Sequence, residues 1–198
     1  LNVAGDNYLA YQGEKIIAAS ELCIKGQHNL MNALVAIALL DAAGVKRIDA
    51  LPALREFSGL EHRSEFVREC DGVTWINDSK ATNVGATVAA LVGLKTSIAG
   101  RLFLIAGGDG KGADFSPLVT HLRDDVTKTY CFGKDGQAIA DLVENSQVVD
   151  DLANAIVAIA NEVQDGDWVL LSPACASIDM YPNFMARGNE FKTLVQAL

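Results

Sequence analysis

The sequence predicts an α/β protein with a mainly parallel sheet, preceded by a hairpin-and-helix segment of a different pattern. Three observations carry this reading. From residue 73 onward, short β-type apolar runs alternate with helical patterns, and such alternation pairs strands in parallel through right-handed crossovers. Runs rich in Gly, Asp, Asn and Ser fall directly after the β-type runs, where strand-to-helix turns belong. Half of the residues are apolar and 21% are charged, enough to build a core.

In chain order, residues 8–11 and 16–18 flank Gln12-Gly13-Glu14-Lys15 as a hairpin with its connection. Residues 29–43 form a helix that is apolar almost all round (Leu30, Met31, Leu34, Val35, Ile37, Leu39, Leu40), stopped at Gly44. A helix apolar on every side has to be covered on every side, and so small a unit removes too little surface from water to do that alone. Residues 1–45 are therefore expected to be the edge of a preceding domain, in a chain that begins with Leu as a piece of something longer would. A short helix at 49–57 and a loop at 58–63 follow, and the domains are expected to divide as 1–59 and 60–198. Beyond them come strands at 73–76, 102–106, 129–132 and 168–171, with a weaker one at 147–149. Helical patterns at 84–94, 115–122, 137–143, 151–163 and 189–197 separate or follow them. The last has Phe191, Leu194, Val195 and Leu198 in a single stripe.

With Lys+Arg 16 against Asp+Glu 25 the chain carries a net charge of −9. That balance argues against a general nucleic-acid or anionic-membrane binder, because phosphate affinity needs a basic face. The longest apolar run, 33–40, is broken by Asp41 and falls short of a membrane span. Cys23, Cys70, Cys131 and Cys175 lie far apart with no metal spacing, which reads as buried free thiols in a reducing cytoplasm. His28, His62 and His121 have no metal spacing either, so no metal ligand is assigned.

In parallel sheets ligands bind beyond the carboxyl ends of the strands, which makes the loops the place to look for chemistry. NDSKATN (77–83) carries Lys80 and ends in Asn83, a helix cap. GGDGKGADF (107–115) carries Lys111 among glycines that let backbone N–H groups approach an anion. It is not a Walker A loop, and no GxxxxGK[ST] occurs anywhere in the chain. SPACAS (172–177), with Asp179, Asn183 and Phe184 beyond it, offers small residues against which a ligand can lie. GKDG (133–136) reads as a plain turn. Any one such loop is explained by turn and capping preferences, but two lysines and an acid at strand ends together ask for more. Cys175 lacks a neighbouring His and GxSxG is absent, so it reads as a buried thiol rather than a nucleophile. Before the sheet, Asn29 and Asn32 stand three apart on one helix face, suited to capping or to a nucleobase edge. Arg63 lies in the loop between the two parts, where it can swing over a phosphate or simply face solvent.

GQHNLMNA, LEHR, WINDSKATN, IAGGDGKGADF, SPACASIDMYPNF and RGNEF, in this order, resemble the ATP-dependent Mur ligases over essentially the whole chain. NDSKATN, GGDGK and SPACAS resemble the D-glutamate-adding branch most closely. The resemblance implies that 60–198 is a Rossmann-like domain, with helices on both faces of the sheet, that receives the amino acid. It implies that 1–59 is the end of a central ATPase domain over which the other closes. ATP would phosphorylate the carboxylate of UDP-N-acetylmuramoyl-L-alanine, and the D-glutamate amine would attack the acyl phosphate to make an amide of the peptidoglycan precursor. By motif position, Asn29 and Asn32 would face the adenine, Asp78 the ribose and Arg63 the nucleotide phosphates. Lys80, Thr82, Lys111, Ser177 and Phe184 would receive D-glutamate. ATP and Mg would be held mainly by the preceding part of such a ligase, where the family keeps its P-loop, its metal-supporting acid and its modified lysine. No catalytic residue is thus expected in this chain, which by itself should be inactive. The family also implies a monomeric cytoplasmic enzyme with small-molecule partners only. The alternatives are a related Mur or folylpolyglutamate-type ligase with another substrate, and a non-catalytic module for a nucleotide or small acid. A dinucleotide-dependent dehydrogenase is opposed by the lack of GxGxxG after a strand.

Overall fold

The computed structural model describes residues 2–3, 6–24 and 27–198, so Gly26 of the GQHNLMNA run lies outside the described residues. The chain divides into two compact units, Leu1–Gly59 and Leu60–Leu198.

In the first unit, β1 (Asn2–Val3), β2 (Asp6–Tyr11) and β3 (Glu14–Ala18) pair antiparallel in that order. The β2–β3 connection is the two-residue turn Gln12-Gly13, both with positive φ (49° and 87°), tighter than the four-residue connection expected from the sequence. Two helices follow, α1 (Gln27–Ala42) and α2 (Arg47–Glu56). Leu9, Ile17, Leu22, Ile24, Ala33, Ile37 and Leu51 form the core of this unit. Within these residues α1 is not covered on every side, in keeping with the expectation that so small a unit cannot cover it alone. Ala33 and Ile37 face inward, while Met31, Val35 and Leu39 (56%, 51% and 67% exposed) form an i, i+4, i+8 stripe in the open.

The second unit contains a six-stranded sheet in the order β4-β5-β9-β6-β7-β8. Its strands are β4 (Glu65–Cys70), β5 (Val73–Asn77), β6 (Leu102–Gly107), β7 (Lys128–Phe132), β8 (Ser146–Val148) and β9 (Trp168–Leu171). All pairings are parallel except that of the edge strand β4 with β5. Its helices are α3 (Val84–Leu94), α4 (Val119–Asp124, after a 3-10 turn at Ser116–Leu118), α5 (Gly136–Ala140), α6 (Leu152–Ala160) and α7 (Phe184–Gln196). The strands alternate their side chains between two apolar layers. Leu102, Leu104 and Ala106 pack with Leu91 of α3, Leu122 of α4 and Ile139 of α5. Phe103 and Ile105 pack with Ile156 of α6 and Phe191 of α7. Both faces of the sheet are therefore covered, which explains why its central strands read as continuous apolar runs.

That layering positions the site. β9 lies between β5 and β6, whose following helices, α3 and α4, cover one face, whereas α7, which follows β9, covers the other. The chain thus leaves adjacent parallel strands in opposite directions, which opens a crevice at their carboxyl ends. Among the described residues, no helix is long and apolar enough to cross a membrane.

Candidate functional site

Strand order decides which loops are neighbours. Because β5, β9 and β6 are adjacent and parallel, the loops carrying Lys80, Ser177 and Lys111 leave one rim of the sheet side by side. The last two are joined by a backbone bridge in which Asp109 and Ala176 each donate an N–H to the other's carbonyl, both at 2.9 Å. So close an approach demands glycine. Gly108 has φ +123°, and a Cβ there would run into the Ala176 carbonyl oxygen. Its N–H goes to the Phe132 carbonyl at 3.0 Å and that of Gly107 to the Pro173 carbonyl at 2.8 Å. These two N–H groups, read from the sequence as anion donors, are instead engaged by neighbouring backbone.

A buried guanidinium locks the three loops together. Arg187, on α7 and 0% exposed, donates from Nε to Ser79 Oγ (3.0 Å) and from Nη2 to the Ser79 carbonyl (2.9 Å). It also reaches the Cys175 carbonyl (3.2 Å from both Nη atoms) and the Gly107 carbonyl (3.4 Å). Burial pushes its pKa down to about 10, so it is still charged at neutral pH. The sequence reading gives the arginine of RGNEF no task. The available signal was a cation in the first turn of a helix that follows the SPACAS loop of small residues.

The second unit carries every candidate ligand-binding residue singled out in the sequence except Asn29 and Asn32. Lys80 is half-buried, with its ammonium 4.0 Å from the centroid of the Phe184 ring. Phe184 opens α7, whose N-cap Asn183 accepts the Ala186 N–H, and its ring meets the buried His62 edge-on at 5.8 Å. His62 is held by Asn77 (Nδ2 to Nδ1, 3.0 Å), and burial lowers its pKa. Thr82 is half-buried, its N–H donating to the Lys80 carbonyl at 2.8 Å. Lys111 is exposed and held at φ +53°. Ser177 is buried, and its carbonyl accepts the N–H groups of Met180 and Tyr181. Arg63 is exposed in the turn before β4. Asp78 is 7% exposed, and its carboxylate accepts the Ser64 N–H (3.1 Å) and the Ser172 hydroxyl (2.8 Å). Burial raises its pKa to about 6, against the opposing pull of those two donors and of the Arg63 charge. Asn29 and Asn32 belong to the first unit, where α1 leaves Asn29 half-buried and Asn32 exposed.

Asp179, expected to add an acid to the site, spends its carboxylate on the backbone N–H of Lys134 at 2.9 Å. Of the four free cysteines only Cys131 and Cys175 are buried; Cys23 is exposed and Cys70 intermediate. Burial pushes the Cys175 thiol up to about 12, which leaves it no thiolate at neutral pH. Among the described residues no group of three or more His, Cys, Asp or Glu could hold a metal ion. A concavity of about 470 Å³ opens beside α5 and β8, lined in part by Gln137, Asp141 and Ser146, and includes none of the residues above.

The family model described as the Mur ligase, glutamate ligase domain matches residues 62–175, more than half of the chain. The chain belongs to the Mur ligase family. Two relatives of this Mur ligase chain are proteins called UDP-N-acetylmuramoylalanine–D-glutamate ligase. That of Escherichia coli K12 is 52% identical over 195 residues, 98% of this chain and 44% of that protein. That of Yersinia pseudotuberculosis is 51% identical over the same shares. The chain thus spans under half the length of the curated relatives it matches. Among solved structures, the UDP-N-acetylmuramate-alanine ligase MurC of Thermotoga maritima has a TM-score of 0.65 at 20% identity, over 89% of this chain and 39% of that one. The MurF ligase of the same organism, in complex with ADP, has a TM-score of 0.61 at 17% identity, over 87% and 40%. These two likenesses establish the Mur ligase fold for the chain, with the mainly parallel sheet described above.

Proposed function

We propose that this chain is the amino-acid-receiving part of a cytoplasmic, monomeric, ATP-dependent ligase that adds D-glutamate to UDP-N-acetylmuramoyl-L-alanine in peptidoglycan synthesis. One observation carries the reading: the loops bearing Lys80, Lys111 and Ser177 leave adjacent parallel strands at one rim and are tied to one another by Arg187. A dicarboxylic amino acid needs two cations and neutral donors, and each contact gains strength when closure excludes water. Lys80 and Lys111 supply the cations in this reading, Thr82 and Ser177 the hydroxyls, and Phe184 a wall that orients the Lys80 ammonium above its ring. The names of relatives 52% identical to the chain support D-glutamate as the amino acid.

The nucleotide is assigned to Asn29 and Asn32 at the adenine, Asp78 at the ribose and Arg63 at the phosphates. Asp78 suits a ribose hydroxyl because two donors leave a carboxylate with further lone pairs. The first unit is assigned to the ATP-binding part of the ligase, with the open stripe of Met31, Val35 and Leu39 as a face for the rest of that part. The phosphoryl step and its Mg are assigned to residues outside this chain.

Steady-state kinetics of the full-length protein test the reading. Lys111→Ala is expected to raise the KM for D-glutamate at least about tenfold while that for ATP stays within about twofold, as loss of a contact to one substrate does. Equal effects on both substrates would overturn it.

A further inference from the structure

We infer that Asp135, in the GKDG turn after β7, is a positioning residue that holds the β6 loop in the shape that presents Lys111 to the amino acid. The inference rests on the D-glutamate reading above. Lys111 sits at φ +53°, a region that a side chain with a Cβ adopts only when its surroundings over-determine it. The surroundings do so residue by residue. The Gly108 carbonyl accepts the Asp135 N–H at 2.9 Å, and Asp109 is bridged to Ala176. The Gly110 N–H donates to Asp135 Oδ2 at 2.7 Å, and the Lys111 N–H donates to Asp109 Oδ1 at 2.9 Å. Asp109 is in turn met by the Lys134 ammonium at 3.2 Å. Of these restraints, the bond to Gly110 is the one in which a side chain from another loop grips the backbone directly before Lys111.

The same turn reaches the third loop. The Lys134 N–H donates to Asp179 Oδ2, two residues beyond Ser177, so GKDG braces the Lys111 loop and the Ser177 loop against each other. A carboxylate is a costly neighbour for a dianionic substrate, since like charges repel. Its retention here is explained if its work is to accept a hydrogen bond, and an amide oxygen of the same reach should then replace it.

The test uses the full-length protein and compares wild type, Asp135→Ala, Asp135→Asn and Lys111→Ala by KM for D-glutamate, KM for ATP and kcat. Asp135→Ala is expected to raise the KM for D-glutamate about tenfold with that for ATP within about twofold, and Asp135→Asn to stay within about threefold of wild type. In the double variant with Lys111→Ala, removal of Asp135 should add almost nothing, because the group it positions is gone. Asp135→Ser, whose hydroxyl stops short of Gly110, replaces the alanine variant if that one fails to fold. An Asn variant as poor as the Ala variant would overturn the inference, as would a fall in kcat with both KM values unchanged. If Lys111→Ala raises the KM for D-glutamate and Asp135→Ala does not, the inference about Asp135 falls alone. If neither does, the D-glutamate reading of this loop falls with it.

Discussion

Arg187 keeps a charge in the interior, hydrogen-bonded to carbonyls and a serine hydroxyl. Burying a guanidinium is costly, and removing it leaves the carbonyls of Ser79, Cys175 and Gly107 without their donor. Arg187→Met should therefore destabilise the chain by at least about 1–3 kcal/mol in urea denaturation, the cost of leaving a buried acceptor unsatisfied; a loss under about 1 kcal/mol would show that the lock is dispensable. Asp78 acts through pH. Its folded pKa of about 6 lies above the ordinary carboxylate value of 3.8 because burial disfavours its charge. Between those two values the folded chain holds a proton that the unfolded chain has released, so this group's contribution to stability falls as pH rises through the window. At 1.36 kcal/mol per unit the loss amounts to roughly 3 kcal/mol above pH 6. Carboxylates held low by their partners, such as Asp125 beside Lys95 and His121, pull the other way. The informative quantity is therefore the difference between wild type and Asp78→Asn. The variant's relative stability should grow by about 2.4 kcal/mol from pH 4 to pH 7; a flat difference would refute the assignment.

At the level of elements, the runs that face two apolar layers were legible and those that do not were obscured. Residues 102–106 and 168–171 read as strands because both faces of β6 and β9 are buried. The helix at 84–94 was legible from its cap, and Asn83 does accept the Ala86 N–H at 3.0 Å. β4 escaped because an edge strand with Glu65, Arg68 and Glu69 and a register shift between Phe66 and Arg68 has neither an apolar run nor clean alternation. α5 and α6 end earlier than their patterns suggested, at Ala140 and Ala160. α7 starts at Phe184 rather than 189 because Asn183 caps it while Gly188, a poor helix former, hides the first turn. The reason for that glycine is in the packing: a Cβ on Gly188 would collide with the buried His62 ring. Gly188→Ala therefore sets a helix-propensity gain of up to about 1 kcal/mol against overpacking that typically costs about 1–3 kcal/mol. The clash with an immobile ring should win, lowering the thermal midpoint, and a raised midpoint would show that His62 has room to move.

Across the whole molecule, what was readable about the site follows from topology: chemistry belongs after the strands of a parallel sheet, and the lysines and serine stand there. What was unreadable was how the loops hold together, because β9 enters the sheet last yet lies between β5 and β6, so the contacts of Arg187 and Asp135 join loops far apart in the chain. The same view separates holding a substrate from activating one. A rim with two lysines can receive a dicarboxylate even in a chain of net charge −9, since local cations outweigh a distant balance within a Debye length of about 8 Å. Phosphoryl transfer needs more: a backbone cradle for the β- and γ-phosphates, a lysine reaching them and a hydroxyl on the metal. No GxxxxGK[ST] run exists in the 198 residues, and the glycines nearest to such a role, Gly107 and Gly108, already give their N–H groups to Pro173 and Phe132. The chain by itself, supplied with ATP, Mg²⁺, D-glutamate and UDP-N-acetylmuramoyl-L-alanine, should therefore form no amide product and release no ADP above a no-enzyme control. Chromatographic detection of the D-glutamyl product with the purified 198-residue chain would refute this division of labour, because the residues described here would then suffice for both halves of the reaction.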